Sequence, residues 1–200
     1  MRLGVLVSGR GSNLEAILQA GLPVAIVISN RPGIRALGVA ARHGVPCRVL
    51  ARADFADAAT RDAAIGATLT EAQVDVAVLA GYDQVLRPAY FSAFRGRTVN
   101  IHPSLLPAHG GVGMVGEAVH RSVLAAGDRE TGCTVHEVTD ELDAGPILAQ
   151  ARVRVMPGDD ASTLAQRVLA EEHRLLVNWL RVEAAKSSAG SRQLMRRIPT

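Results

Sequence analysis

The feature that most narrows the fold is an alternation in the first half of the chain. Short runs rich in Val, Leu and Ile occur at LGVLV (3–7), PVAIVIS (23–29), PCRVL (46–50), VDVAVLA (74–80) and RTVNIH (97–102). Between them, 13–20, 34–43 and 58–72 carry helically spaced apolar residues. Strand, helix, strand in this order predicts a parallel sheet with right-handed crossovers and helices on both faces. Near-continuous apolar runs fit strands buried on both sides. After residue 130 the pattern changes. TGCTVHEV (131–138) and PILAQARVRV (146–155) alternate and are joined by TDELDAG, so they read as an antiparallel pair added to the sheet. A last helix is expected from near Asp159, after GDDAST, to about Ala185, followed by a flexible polar tail over 186–200.

Composition excludes several classes. With 200 residues, 48% of them hydrophobic, the chain can build one full core and is marginal for two. No apolar window reaches the roughly 18 residues that a membrane span needs. The opening MRLGVLVSGRG has too short an apolar run for a signal peptide. Cys47 and Cys133 form no framework and fit a reducing compartment, so a cytoplasmic protein is expected. The net charge is +3, but the arginines are scattered, aromatics are 3%, and the one basic cluster is RQLMRR near the end. No nucleic-acid partner is expected, because a small anionic substrate accounts equally well for a mild positive balance.

Three places carry candidate chemistry. The first is SGRGSN (8–13), between the first strand and the first helix. Gly9 and Gly11 allow close backbone approach, Ser12 or Asn13 can cap the helix, and the free N–H groups there suit an anion such as phosphate. An ordinary βα turn would look much the same. A dinucleotide is disfavoured: Leu14 takes the place of the third glycine of G-x-G-x-x-G, and ISNR at the end of the second strand has no acid for a ribose diol.

The second place is TVNIHPSLLP (98–107). Side chains alternate along a strand, so Val99 and Ile101 point one way and Asn100 and His102 the other. Ligands of open α/β sheets sit beyond the carboxyl ends of the strands, where this polar pair stands. The DELDAG loop brings Asp140, Glu141 and Asp143. A carboxylate orients an imidazole, and an amide beside an imidazolium can hold a developing oxyanion. That set can serve acyl transfer without an enzyme nucleophile. A hydrogen-bonded Asn–His pair at a strand end is the plainer alternative. No metal is expected, since His102 and His109 fit no H-E-x-x-H or C-x-x-C spacing.

The third place is Glu172. On a wheel of about 100° per residue, Ala161, Leu164, Ala165, Val168, Leu175, Leu176 and Trp179 form one stripe, with Glu172 near its centre. A carboxylate there needs a partner. It is either turned towards a cationic or amine group of a ligand or left wet where the helix leaves the core.

Together these segments resemble the folate-dependent phosphoribosylglycinamide formyltransferases. SGxGSN, NIHPSLLP, TGCTVHEVTDELDAGP and EEH occur in that family's order and at about its spacing, over residues 1–180. The resemblance implies a Rossmann-like formyltransferase fold in a single domain over 1–185, with a phosphate-binding half (1–96) and a catalytic and folate-binding half (97–185). It implies 10-formyltetrahydrofolate as co-substrate, glycinamide ribonucleotide as acceptor, no metal, and a monomer or homodimer. Residue by residue, Asn100, His102 and Asp143 would be catalytic. Gly11, Ser12 and Asn13 would hold the ribose phosphate, and Glu172 the glycinamide end. Arg52, Asp83, Gln84, Val85, Leu86, Asn100, Thr139, Asp140 and Asp143 would meet the folate. The glycinamide amine would attack the formyl carbon directly.

Two departures from the family stand out. After LAG the family usually has an aromatic, an apolar and a basic residue, whereas this chain has Tyr82, Asp83 and Gln84. The segment AHGGVGMVGEAVH (108–120) is longer and richer in glycine and reads as a loop over the substrate. Methionyl-tRNA formyltransferases share the Asn100, His102 and Asp143 region but would want a second, basic domain. Formyltetrahydrofolate hydrolases would carry a regulatory domain in front. A non-catalytic folate-binding homologue is the alternative of a different class.

Overall fold

A computed structural model describes residues 1–195; the end of the expected tail, 196–200, lies outside the described residues. Strands β1 (Leu3–Val7), β2 (Val24–Ser29), β3 (Cys47–Val49), β4 (Val76–Leu79), β5 (Arg97–His102), β6 (Glu130–Glu137) and β7 (Ile147–Arg154) form one sheet in the order β3-β2-β1-β4-β5-β6-β7. The pairings from β3 across to β5 are parallel, and β6 and β7 are added antiparallel. This is the expected doubly wound sheet with an antiparallel addition.

Helices cover both faces. On one lie α1 (Ser12–Gln19), α2 (Arg35–Arg42), α5 (Glu117–Ala126) and α6 (Ala161–Met195), packed on Leu3, Val5, Val7, Val99, Ile101 and Val135. On the other, α3 (Ala58–Glu71) and α4 (Pro88–Ala93) pack Ile65, Leu69, Tyr90 and Phe94 onto Leu6, Ile28 and Leu79. Residues of opposite parity along β1 and β5 serve opposite cores, as the two-residue period requires. Val99 and Ile101 face the α1/α6 side, and Thr98, of the same parity as Asn100 and His102, meets the Tyr90 hydroxyl at 2.8 Å.

Three elements differ from expectation. Helix α4 begins with Pro88 at its first turn and is only six residues long, too short to show a period. Helix α5 takes up the last part of 108–120, so the loop ends at Gly116 rather than running through the whole segment. Helix α6 continues past Ala185 to Met195, through a sequence with no proline and several good helix formers. Its start is as expected: Asp160 Oδ1 accepts from the Thr163 N–H at 2.7 Å, and Thr163 Oγ1 from the Asp160 N–H at 3.0 Å. That is a reciprocal cap.

Candidate active site

In the order β3-β2-β1-β4-β5 the chain reverses direction of travel between β1 and β4. A crevice opens beyond the carboxyl ends of the strands at such a switch point. Here the segments after β1, β4 and β5 and the β6–β7 loop surround a cleft of about 640 Å³, closed on one side by α6.

After β1 the chain turns at Gly11 (φ 75°), where a Cβ would come within 2.6 Å of Ala36 Cβ. Only glycine fits both the left-handed backbone and the approach to α2. Helix α1 then starts at Ser12 with no side-chain cap. Neither Ser12 nor Asn13 caps it, contrary to one expectation, because Asn13 is used elsewhere: its Nδ2 donates to Glu172 Oε2 at 2.8 Å. The first-turn N–H groups of α1 therefore remain available at the cleft wall formed by Gly11, Ser12 and Asn13.

Glu172 sits on the buried line of α6 that Leu164, Val168, Leu176 and Leu180 continue, and it is 8% exposed. Burial pushes its carboxyl up to about 7, against the bond from Asn13 and the charge of Arg10. Asn13 Oδ1 is buried beside it without a partner. A carboxylate with one donor and an amide oxygen with none form a site short of hydrogen-bond donors.

At the other end β5 delivers Asn100 and His102. Asn100 stands opposite His136 in the β5–β6 register, and its Nδ2 lies 3.0 Å from His136 Nε2. His136 Nδ1 lies 2.9 Å from the Glu137 carbonyl oxygen. A carbonyl only accepts, so Nδ1 carries the proton and Nε2 accepts from Asn100. Burial lowers the His136 pKa and keeps the ring neutral, which maintains this arrangement. One N–H of the Asn100 amide is thus fixed, and the other is free for the cleft.

Gly145 lets the β6–β7 loop return, since a Cβ there would strike the Glu137 carbonyl oxygen at 2.0 Å. The loop carries Asp143 in a left-handed backbone (φ 53°). Its Oδ2 accepts from the Gly111 N–H at 2.9 Å and stands 3.7 Å from His102 Nδ1, while Oδ1 stands 3.6 Å from His136 Nε2. His102 Nε2 lies 2.9 Å from the His109 carbonyl oxygen. Asn100, His102 and Asp143, drawn from two segments far apart in sequence, are brought together.

Asp83, Gln84, Val85 and Leu86 line the cleft after β4, as does Thr139 from the β6–β7 loop. Two residues expected at the site are not on its walls. Asp140 is exposed on the β6–β7 loop, and Arg52 is exposed on a single 3-10 turn, Arg52–Asp54.

Several participants escaped the sequence reading. His136 and His120, both buried at the cleft, were passed over, although the position of His136 opposite Asn100 follows once the β5–β6 register is known. Arg61 and Asp62 of α3 form a buried ion pair at 2.6 Å beneath the 82–87 loop. Asp62 Oδ2 accepts from the Arg87 N–H at 2.9 Å, and Arg61 Nη1 donates to Gln84 Oε1 at 3.0 Å. Adjacent opposite charges just inside the start of a helix were the available signal. Among the described residues no group of three or more His, Cys, Asp or Glu could hold a metal ion, and no helix is long and apolar enough to cross a membrane.

Comparison with known proteins shows the family. The formyl transferase family model matches residues 1–180. The chain is 42% identical over 180 residues to the trifunctional purine biosynthetic protein adenosine-3 of Drosophila melanogaster, covering 86% of this chain but only 13% of that protein. It is 38% identical to the phosphoribosylglycinamide formyltransferase of Escherichia coli, over 90% of this chain and 86% of the other. The crystal structure of glycinamide ribonucleotide transformylase 1 from Symbiobacterium toebii superposes with a TM-score of 0.87 at 41% identity, covering 93% of this chain and 88% of that one. On these grounds the chain, with its Rossmann-like sheet and its cleft at the switch point, belongs to the formyl transferase family.

Proposed function

We propose that the protein transfers a formyl group from 10-formyltetrahydrofolate to the amine of 5'-phosphoribosylglycinamide, in de novo purine biosynthesis in the cytoplasm, through one catalytic domain acting as a monomer or homodimer. The observation that carries this reading is the pairing of two unlike ends in one cleft: a donor-poor Asn13–Glu172 pair suited to an amine, and an Asn100–His102–Asp143 group suited to an oxyanion.

In this reading the ribose phosphate lies on the uncapped start of α1, at Gly11, Ser12 and Asn13. The glycinamide end donates hydrogen bonds to Glu172 and to Asn13 Oδ1. The folate lies along 83–86 and the 138–143 loop, with its formyl group at Asn100. The amine nitrogen attacks the formyl carbon, and the carbonyl electrons move onto oxygen. The free N–H of Asn100 and the Nδ1–H of a charged His102 hold that oxyanion. The C–N10 bond then breaks, the amine proton leaves through Asp143 and water, and the folate nitrogen gains a proton. No enzyme nucleophile takes part.

The test is direct. Purified protein, synthetic glycinamide ribonucleotide and a 10-formylfolate analogue are mixed, and the absorbance of the deformylated folate is followed. Release that depends on the ribonucleotide is expected. Release at the same rate without ribonucleotide would mark a hydrolase, and binding of the analogue without release a folate-binding homologue.

A further inference from the structure

We propose that His109 is a positioning residue for His102, with Ser122 and Asp128 as the clamp that holds His109. The chemistry assigned to His102 rests on the proposed function, but the geometry of the clamp does not.

His109 is one of the non-glycine residues with a left-handed backbone, at φ 54°. Such a conformation costs energy and persists only where its surroundings hold it. Here they do so through the ring. His109 Nε2 lies 2.7 Å from Asp128 Oδ2, and Nδ1 lies 2.8 Å from Ser122 Oγ. The carboxylate accepts, so Nε2–H donates to it, and in the neutral ring Nδ1 accepts from the serine hydroxyl. Both nitrogens are engaged, and both partners belong to α5 or to the turn just after it. The ring is thereby tied to a helix.

What the ring secures is the backbone. The His109 carbonyl accepts from His102 Nε2 at 2.9 Å, so the proton of neutral His102 sits on Nε2 and Nδ1 is turned to Asp143. Two residues further on, the Gly111 N–H donates to Asp143 Oδ2 at 2.9 Å. One short backbone stretch therefore grips both His102 and Asp143 and sets the gap between them. Before His109 the stretch is also tied by the Ser104 hydroxyl, which donates to the Ala108 carbonyl oxygen at 2.6 Å, but beyond His109 it leads into the glycines at 110, 111, 113 and 116, which restrain little. The order Ser122, His109, Asp128 has the look of a hydrolytic relay. None of the three lines the cleft, however, so no relay opens onto it.

Groups that orient a catalytic or ligating histidine typically contribute roughly 10–100-fold when they are removed. The test uses His109→Asn, because asparagine tolerates the left-handed backbone, together with Asp128→Ala, Ser122→Ala and the conservative Asp128→Asn, which keeps an oxygen to accept from His109. Steady-state kinetics separate kcat from the two KM values. Long-range 1H–15N spectra at alkaline pH report the His102 tautomer independently of activity.

For His109→Asn we expect kcat to fall about 10-fold or more, with each KM within about threefold. Asp128→Ala should fall less, Asp128→Asn should remain near the wild type, and the His102 signals should move from pure Nε2–H to a mixture in step with kcat. A His109→Asn protein that folds and keeps kcat within about twofold, with an unmixed tautomer, overturns the proposal. Should that variant fail to fold, the partly exposed Ser122 and Asp128 variants decide by the same two readings. If the wild type transfers no formyl group, the functional reading fails on its own. The spectra still decide the positioning role: a mixed tautomer supports it, and an unchanged one overturns it.

Discussion

The two ends of the cleft solve the same problem, a carboxyl group out of water, in opposite ways. Asp143 accepts from the Gly111 N–H at 2.9 Å and stands against the polar edges of two imidazoles, His102 at 3.7 Å and His136 at 3.6 Å. Glu172 has one donor, from Asn13, and an apolar helix line on either side, so burial raises its pKa to about 7. The first end is already assembled from polar groups in the free protein and poised for chemistry. The second is incomplete and becomes satisfied when an amine arrives. Groups that act on a transition state are held in place beforehand, whereas groups that recognise a ground state can leave a bond unmade for the ligand to make.

This contrast predicts the largest effects at the assembled end. His102→Ala, Asn100→Ala and Asp143→Ala should each lower kcat by at least roughly 10²-fold, the usual cost of losing an oxyanion donor or its support. The losses should not add, because the three act as one unit. Steady-state rates for the single and double variants test this, with thermal melts to check folding. A His102→Ala protein that retains more than about half of the wild-type turnover would break the assignment of that end.

Glu172→Gln sharpens the comparison at the other end. It keeps shape and removes charge, so the KM for the ribonucleotide should rise about 10-fold, the scale of a charge-assisted hydrogen bond, while the folate KM stays nearly unchanged. It should also leave a mark on stability that needs no ligand. A carboxyl that holds its proton more tightly when folded makes stability fall as pH rises between its unfolded and folded pKa. For Glu172 that window runs from the ordinary 4.5 to about 7. Wild type and variant should melt alike near the bottom of the window. The variant should pull ahead as pH rises, by roughly 3 kcal/mol at full effect, and the gap should be constant above it. A gap that closes with rising pH, or none at all, would show that Glu172 is solvated.

Legibility in the sequence followed the same divide between side chains that announce themselves and groups that do not. β1 and β5 lie where their apolar runs put them, Leu3–Val7 and Arg97–His102. Asn100 and His102 were visible as polar residues in an apolar strand, and Glu172 as an acid on an apolar stripe. The part His109 plays could not be read, because its contribution is a backbone carbonyl, which every residue has. His136 needed the antiparallel register. The expected cap at Asn13 failed because a local rule met a long-range partner, Glu172 on α6. Helix α5 was hidden by the glycines in front of it, which made 108–120 read as loop throughout.

The smallest predicted effect lies between the two ends, on the wall at Gln84. The resemblance read from the sequence expects a basic residue there and a folate held mainly through backbone groups, so that a neutral amide need not weaken binding. The structure gives the side chain another use. Its Oε1 accepts from Arg61 at 3.0 Å, and its Nε2 stands 3.2 Å from Asp83 O. It therefore lies along the wall and stitches the loop to α3. Arg61 keeps its ion pair with Asp62, and Asp62 keeps the Arg87 N–H, so the loop stays anchored when Gln84 is shortened. Gln84→Ala removes the bond from Arg61 at a half-buried site, worth about 1–2 kcal/mol where fully felt, and a longer one of 3.2 Å to Asp83 Oδ1. The folate KM should change only a few-fold, with kcat and the ribonucleotide KM unmoved. Titration of a folate analogue into the wild type and the variant measures this without chemistry. A loss beyond roughly 100-fold, which is more than one such bond can supply, would mean that the Gln84 side chain meets the folate itself. The 82–87 wall would then belong with Glu172 among the groups that wait for a ligand, not with those already held in place.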